Sequence, residues 1–363
     1  MIDLAVPFIG SREKIEVSGV LESKMIACGE VVAEFERQFA KYHRAKYAVA
    51  VVNGTAALHT ALLACGVKPG DKVITTPFSF VATGNSILHC GAKPIFVDID
   101  PDTFNIDPVV LAKTLAIEKN IKAVLLVHLY GLMCDMDPIL KLQRKYKFKL
   151  IEDCAQAHAS KYKGKFAGTF SDAASFSFYA TKNITTGEGG MTFFPTQKSA
   201  DYARQIINHG RAGHSSFTVL GYNYRMTNIL AAIGLEQLEH LKEWTLIRQQ
   251  NAAIYQKELG RLEDIKIPIT PKGYSHSFHQ YTLRVPAPQR EDFMQHLRKN
   301  DVGCGIYYDQ VIYRQPLYRK LGYKAGICPK AEQAAKEVVS IPVHPLVGKG
   351  ITKVIEAIRS YKK

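Results

Sequence analysis

The sequence predicts an α/β fold: a large domain with a mostly parallel seven-stranded sheet covered by helices on both faces, followed by a smaller C-terminal α+β domain. Three observations predict it. From Lys46 to Phe194 short apolar runs alternate with helical stretches, which is the pattern of stacked βα units. Several runs, such as the AVLLV within Lys122–Val127, are apolar throughout, as expected of strands covered on both faces. Around Asn228 the alternation stops and gives way to one long helical stretch and a mixed tail.

Taken in order, the predicted strands are Tyr47–Val52, Lys72–Thr75, Pro94–Val97, Lys122–Val127, Lys149–Ile151, Ala173–Phe178 and Met191–Phe194. Helices are expected between the early ones, at Ala56–Cys65, Phe80–Cys90, Pro108–Ala116 and Asp137–Tyr146. Pro108 after Asp107 and Pro138 after Asp137 read as first-turn prolines behind a capping aspartate. Ile229 to about Leu259 carries apolar residues at Ile233, Leu235, Leu238, Leu241, Trp244, Ile247 and Ile254 and reads as one helix. Pro268, Pro271 and Gly273 break the pattern. Beyond them come a strand at Gln280–Val285, a helix at Arg290–Lys299 and a short strand near Val302–Ile306. Two more helices are expected at Ala331–Val339 and Thr352–Tyr361. The division falls near residue 250, giving a large domain of residues 1–250 and a small one of residues 251–363. The two amphipathic segments before residue 45 are expected on the outside.

Composition narrows the class of function. The 363 residues are 47% hydrophobic, 22% charged and 10% aromatic, which excludes a disordered or fibrous chain. A chain of this size folds on its own core without staples. The 47 Lys and Arg against 33 Asp and Glu give a net charge of +14, which favours anionic partners without choosing among them. The lysines are dispersed, with no helix-turn-helix, zinc finger or basic arm, so nucleic acid is not expected as a partner. Seven scattered Cys without a C-x-x-C pair argue against a disulfide framework or zinc site and fit a reducing cytoplasm. The N-terminus lacks the pattern of a signal peptide, and no apolar run reaches the length of a membrane helix. A cytoplasmic protein without membrane contact is expected.

Three stretches carry the chemistry. In SFSFYATKNITTGEGGM (Ser175–Met191) a strand ends in aromatic residues, Lys182 follows, and a glycine-rich turn closes the segment. A lysine held in a wall of Phe176, Phe178 and Tyr179 is open to desolvation, which lowers its pKa toward nucleophilic use. Taken alone, a solvated surface lysine is the commoner case. In LIEDCAQAHAS (Leu150–Ser160) an apolar strand delivers Asp153 to its carboxyl end, where open α/β sheets place ligands; such an acid can equally be a helix cap. In VNGTAAL (Val52–Leu58) a strand runs into Asn-Gly-Thr at a helix start, which is an anion site or an ordinary turn and cap. In that order the three match the needs of pyridoxal phosphate chemistry. A carboxylate holds the pyridine nitrogen protonated, and a lysine carries the cofactor as a Schiff base.

The chain resembles the DegT/DnrJ/StrS sugar aminotransferases, a branch of the fold type I pyridoxal-phosphate enzymes in the aspartate aminotransferase superfamily. The resemblance runs through NGTAALHTAL, PFSFVATGNSIL, PIFVDIDPDTFNID, VHLYG, IEDCAQAHAS, SFSFYATKNITTGEGG, INHGR, GYNYRMTNILAAIGLEQL, and the GIYY and IPVHP segments. It implies pyridoxal 5'-phosphate as cofactor, with Lys182 as the lysine that binds it and moves the proton, and Asp153 as partner of the ring nitrogen. It further implies Gln156 at the ring hydroxyl, Phe80 stacked on the ring, and Gly54, Thr55 and Ser177 around the phosphate. Asn223 would reach the phosphate bound by the neighbouring subunit, so the resemblance implies a homodimer with shared active sites. The implied reaction moves an amino group from L-glutamate to a keto-sugar linked to a nucleotide diphosphate, in amino-sugar or surface polysaccharide biosynthesis. An aminocyclitol aminotransferase acting on an inosose-type ketone is the alternative. A pyridoxamine-dependent sugar dehydratase would carry histidine in place of Lys182. His128, His158 and His209 are expected to be local hydrogen-bonders, and no metal site is expected.

Overall fold

The computed structural model describes residues 1–361. Its strands in chain order are β1 (Tyr47–Val51), β2 (Lys72–Thr75), β3 (Lys93–Phe96), β4 (Ile121–Val127), β5 (Lys149–Asp153), β6 (Lys161–Tyr162), β7 (Lys165–Phe166), β8 (Ala173–Ser177), β9 (Gly190–Phe194), β10 (Tyr274–Ser275), β11 (Tyr281–Arg284) and β12 (Val338–Ile341). Seven of them form the central sheet in the order β1-β9-β8-β5-β4-β2-β3. The β2–β3, β2–β4, β4–β5 and β5–β8 pairs are parallel, and only β9 runs against its neighbours. This is the mostly parallel sheet the sequence predicts.

Both faces of the sheet are covered, and the alternation of side chains shows it. Ala50, Val124 and Leu126 point into one apolar cluster with Phe35, Phe39, Phe176, Phe193 and Leu241. Their neighbours Val49, Val51, Ala123 and Leu125 point into a second cluster with Leu58, Leu62, Ile87 and Ala203. The helices in chain order are α1 (Ser11–Ser23), α2 (Glu30–His43), α3 (Gly54–Ala64), α4 (Ala82–His89), α5 (Pro108–Ile117), α6 (Met136–Tyr146), α7 (Gln197–Ile207), α8 (Asn228–Leu259), α9 (Arg290–Lys299), α10 (Pro316–Lys320), α11 (Pro329–Glu337) and α12 (Gly350–Arg359). Those that cover these faces start where the sequence supplies caps. The Asn53 side chain accepts from Ala56 N–H at the head of α3 (Gly54–Ala64). Asp107 caps the helix Pro108–Ile117 with Pro108 in its first turn. The long helix α8 (Asn228–Leu259) begins behind Thr227 and spans two cores. Its Leu238 and Leu241 join the sheet cluster, while Ala252, Tyr255 and Leu259 join a separate cluster with Tyr281, Leu283, Phe293, Val339 and Ile355. Ile2 packs on this C-terminal cluster and bridges Val302.

Several boundaries differ from expectation. The helix expected over Ala331–Val339 stops at Glu337, and the β-branched run Val338–Ile341 becomes β12, paired antiparallel with β11. The strand expected near Val302–Ile306 is absent: only isolated bridges, Val302 with Ile2 and Gly305 with Ser340, form there. A helix at Gln197–Ile207, capped by Thr196, was not anticipated. The helix expected from Phe80 starts at Ala82 and is here α4 (Ala82–His89), which leaves Phe80 outside it at 57% exposure.

The segment between Tyr307 and Ala331 turns back from the C-terminal unit onto the sheet-bearing one. Val311, Ile312, Tyr313 and Tyr318 share an apolar cluster with Phe78, Phe96, Ile99 and Tyr130. Ile312 N–H donates to the Pro77 carbonyl, Tyr318 Oη to Asn85 Oδ1 at 3.0 Å, and Tyr323 Oη to the Pro94 carbonyl. The Asp98 carboxylate accepts from the N–H groups of Lys330 and Ala331 at 2.9 Å each, capping the helix Pro329–Glu337 from across the seam. Among the described residues no helix is long and apolar enough to cross a membrane.

Candidate active site

The carboxyl ends of the parallel strands bring the predicted residues other than Asn223 to one edge of the sheet. Asp153 is the last residue of β5 and is buried. Its Oδ1 accepts from Ala155 N–H at 3.1 Å and its Oδ2 from the Thr83 hydroxyl at 3.1 Å. Thr83 lies in the first turn of α4, and its own oxygen is 2.9 Å from Ser79 Oγ. Burial pushes the Asp153 carboxyl above its ordinary range, opposed by these two donors and by the nearby Lys182 charge. Ionisation therefore depends on the donors and cations around it.

Lys182 sits in the loop that joins β8 to β9. Lys182 N–H donates to the Tyr179 carbonyl, Thr186 N–H to the Phe178 carbonyl, and Phe178 N–H to the Gly189 carbonyl. Its side chain is half-buried and makes no hydrogen bond among the described residues. Desolvation pulls the ammonium down to about 8, against the pull of the Asp153 charge. The neutral amine is thus accessible just above neutral pH. In cofactor-free enzyme the rate of aldehyde capture by Lys182 should rise with pH and level off above about 8. A stopped-flow pH series of pyridoxal phosphate recombination checks this, and a plateau reached only near pH 10 would contradict it.

Gly54 opens α3 directly against Ser177 at the end of β8. A Cβ on Gly54 would stand 2.7 Å from Ser177 Cβ and 2.9 Å from its Oγ. Thr55 follows in the same first turn. Gly190, after the glycine-rich turn, packs against Asn53, where a Cβ would stand 2.6 Å from the carbonyl oxygen. A helix start, a hydroxyl from Ser177 and the neighbouring Thr55 thus converge in a cradle that a side chain would fill, and helix starts favour phosphate.

Gln156 is fixed by two bonds. Tyr130 N–H can only donate, so the atom facing it at 2.7 Å is Oε1, and Nε2 donates to Tyr308 Oη at 3.1 Å. Tyr308 reaches the site from the docked segment, and its ring lies 6.1 Å from that of Phe80. Asn223 stands apart from this group. It is exposed, its amide makes no hydrogen bond among the described residues, and its strand-like segment lies beside the end of β1, with Val51 bridging Arg225. Sequence reasoning missed Thr83, Ser79 and Tyr130. The alternation of small hydroxyl residues in PFSFVATGNS was the available signal for the first two.

The histidines sort differently from expectation. His128 does bond locally: Nε2 lies 2.9 Å from Glu152 Oε2, and Nδ1 accepts from Cys134 N–H. His158 is held more loosely: neither ring nitrogen makes a well-formed hydrogen bond, the Ser177 backbone is the polar group beside it, and the ring packs against Phe39, Phe176 and Phe178, where burial holds it well below its ordinary pKa. His209 bonds only through its backbone among the described residues. His128, Glu152 and Cys154 offer three metal-capable atoms within 4.8 Å. Glu152 already accepts from Gly168 N–H, Phe170 N–H and Ser171 Oγ as well as facing His128, so its lone pairs are taken. The cluster is a hydrogen-bond knot behind Asp153.

A desolvated lysine, a buried aspartate at a strand end and a glycine-lined helix start are the groups that a pyridoxal-phosphate-type transferase site requires. The model of the DegT/DnrJ/EryC1/StrS aminotransferase family matches residues 7–359. The chain belongs to this family and is a PLP-dependent aminotransferase. It is 41% identical over 351 residues to the pleiotropic regulatory protein of Geobacillus stearothermophilus, covering 95% of this chain and 93% of the relative. It is 36% identical over 361 residues to GDP-perosamine synthase of Escherichia coli O157:H7, covering 98% and 97%. The PLP form of Spr1654 from Streptococcus pneumoniae superposes with a TM-score of 0.92 at 27% identity, covering 99% of this chain and 98% of that one.

Proposed function

We propose that this chain transfers an amino group from L-glutamate to a keto-sugar carried on a nucleotide diphosphate, with pyridoxal 5'-phosphate held at the site described above. The observation that carries this reading is the meeting of a lysine lowered to about 8 with the buried Asp153 beside the Gly54–Ser177 cradle. The donor set fits the cofactor. When bound, the cofactor supplies the electron sink that lets an amino group and a proton be exchanged. Asp153 holds a proton at the ring nitrogen, and the Gln156 amide, whose Nε2 has a second N–H beyond the one given to Tyr308 Oη, holds the ring hydroxyl. Thr55 and Ser177 bind the phosphate with Gly54, and Phe80 covers one ring face. Lys182 Nζ moves the substrate proton. The net charge of +14 favours a diphosphate-linked acceptor, in line with the GDP-sugar named for the E. coli relative.

The test is direct. Purified protein should absorb visible light as a lysine-bound cofactor does, and lose that band on adding glutamate. A panel of nucleotide keto-sugars should restore it. Restoration by an inosose-type ketone alone would favour the aminocyclitol reading, and a protein that stays colourless with added cofactor would sink both. The name of the G. stearothermophilus relative favours a second reading, a regulator. If that regulation acts through DNA, binding must survive physiological salt, because a basic chain binds any duplex at low salt.

The same reading makes the site a property of a symmetric dimer, with the exposed amide of Asn223 reaching the partner's phosphate. Asn223→Ala should then weaken cofactor retention. Mixed with Lys182→Ala under subunit exchange, it should recover activity. Half of the dimers are then heterodimers with one intact site each, so about a quarter of all sites should work. No recovery, with Asn223→Ala clearly impaired alone, would remove Asn223 from the neighbouring site.

A further inference from the structure

We infer that Thr83, supported by Ser79, is a positioning residue that keeps Asp153 in the charged form and orientation the ring nitrogen needs. The inference rests on the role proposed for Asp153. Both hydroxyl residues are at most 5% exposed, so neither is a solvated surface group. The direction of donation follows from chemistry. The ionised carboxylate only accepts, so Thr83 gives its one proton to Asp153 Oδ2. The 2.9 Å contact with Ser79 must then be a donation from Ser79 to the Thr83 oxygen. The chain of hydroxyls is therefore polarised toward the carboxylate, and donation into an oxygen strengthens the bond that oxygen's own proton makes.

The geometry also ties two elements together. Asp153 ends β5, whereas Thr83 lies in α4 and Ser79 in the turn before it, next to Phe80. The same short turn thus carries the aromatic beside the site and the hydroxyls that hold the carboxylate. Ala155 N–H fixes Oδ1 and Thr83 fixes Oδ2, so the carboxylate plane is set by one donor on each oxygen.

The charged and titratable groups that face Asp153 are Lys182 from the loop after β8, His128 from the end of β4, Cys154 beside it on its own chain and Tyr308 from the docked segment. Lys182 favours the carboxylate; the His128 ring, whose Nδ1 accepts from Cys134 N–H while Nε2 faces Glu152, adds no net cation, and burial together with Asp153 keeps the Tyr308 phenol and the Cys154 thiol protonated. Against burial, the Thr83 hydroxyl is, among the described residues, the one neutral side-chain donor to Asp153. Removing it should raise the Asp153 pKa, since a bond to a charged group favours the charged form. A lost bond of that kind is worth on the order of tenfold in an equilibrium.

The readout is binding of pyridoxamine phosphate, which attaches without a covalent link to Lys182. In wild type, affinity should fall as pH drops through the Asp153 pKa. Thr83→Val, which keeps the shape and removes the hydroxyl, should weaken binding about tenfold at the lower end of the usable pH range. It should also move the acid limb of the curve up by about one unit. Thr83→Ser should restore both, and Ser79→Ala should shift the limb in the same direction by less. Asp153→Asn is measured alongside. If it binds normally, the proposed role of Asp153 fails. If Asp153→Asn binds weakly while Thr83→Val stays within twofold of wild type with an unmoved acid limb, the inference is overturned. Should Thr83→Val not fold, Thr83→Ala takes its place, and an unmoved acid limb there, with Asp153→Asn binding weakly, overturns it as well.

Discussion

Lys182→Ala should lose at least about a thousandfold in amino transfer while melting within a degree or two of wild type. The size follows from removing both the covalent anchor and the proton carrier, since one positioned acid–base group alone contributes about 10²–10⁴. The small effect on stability follows from the site. The side chain is half-buried, makes no hydrogen bond among the described residues, and pays a desolvation cost that its removal relieves. Substitutions of that kind change stability by roughly half a kcal/mol. The mutant should still bind cofactor reversibly through the Gly54–Ser177 cradle, which equilibrium dialysis can follow. Turnover near wild type would overturn the role of Lys182, and a collapsed melting curve would mean the residue is a packing element.

Asp153→Asn should keep the fold and retain less than about a tenth of the wild-type rate, a loss of more than about 1.4 kcal/mol in transition-state stabilisation. A neutral amide cannot hold a proton on the ring nitrogen by charge. The fold survives because the amide oxygen can take the Ala155 N–H bond and the amide group can meet the Thr83 hydroxyl turned as an acceptor. Replacing a buried charge by a neutral group also removes a desolvation penalty. Single-turnover rates with glutamate, compared with the melting temperature, separate the two effects. A rate above a tenth of wild type would reduce Asp153 to a turn-capping residue.

The sequence announces the central sheet because β1 and the Ala123–Val127 part of β4 are apolar on both faces, and few other structures tolerate such runs. Lys182 and Asp153 were legible because each sits where a strand pattern stops, followed by glycine or by small residues. The C-terminal unit was harder to read. Val338–Ile341 follows a helix without a break signal, so its β-branched residues read as the helix's last turn until β11 supplied a partner. Thr83 was not legible as part of the site, because the contact with Asp153 joins residues 70 apart in the chain. His158 misled in the opposite direction: a histidine in a site motif suggests hydrogen bonding, whereas this one serves as an aromatic surface among phenylalanines. Tertiary packing decides such residues, and local pattern carries no trace of it.

The docking of residues 307–331 on the sheet-bearing unit bears on how the molecule turns over. Swinging the two units apart would expose Val311, Ile312, Tyr313 and Tyr318, all at most 1% accessible, at about 1.5–3 kcal/mol for an apolar side chain of this size. It would also strip the Asp98 carboxylate of the two amides it caps. A jaw-like cycle would meet that cost at every turnover, whereas movements of single side chains would not. Substrates that enter in turn would then find these two units in the same mutual arrangement, and telling them apart would fall to side chains.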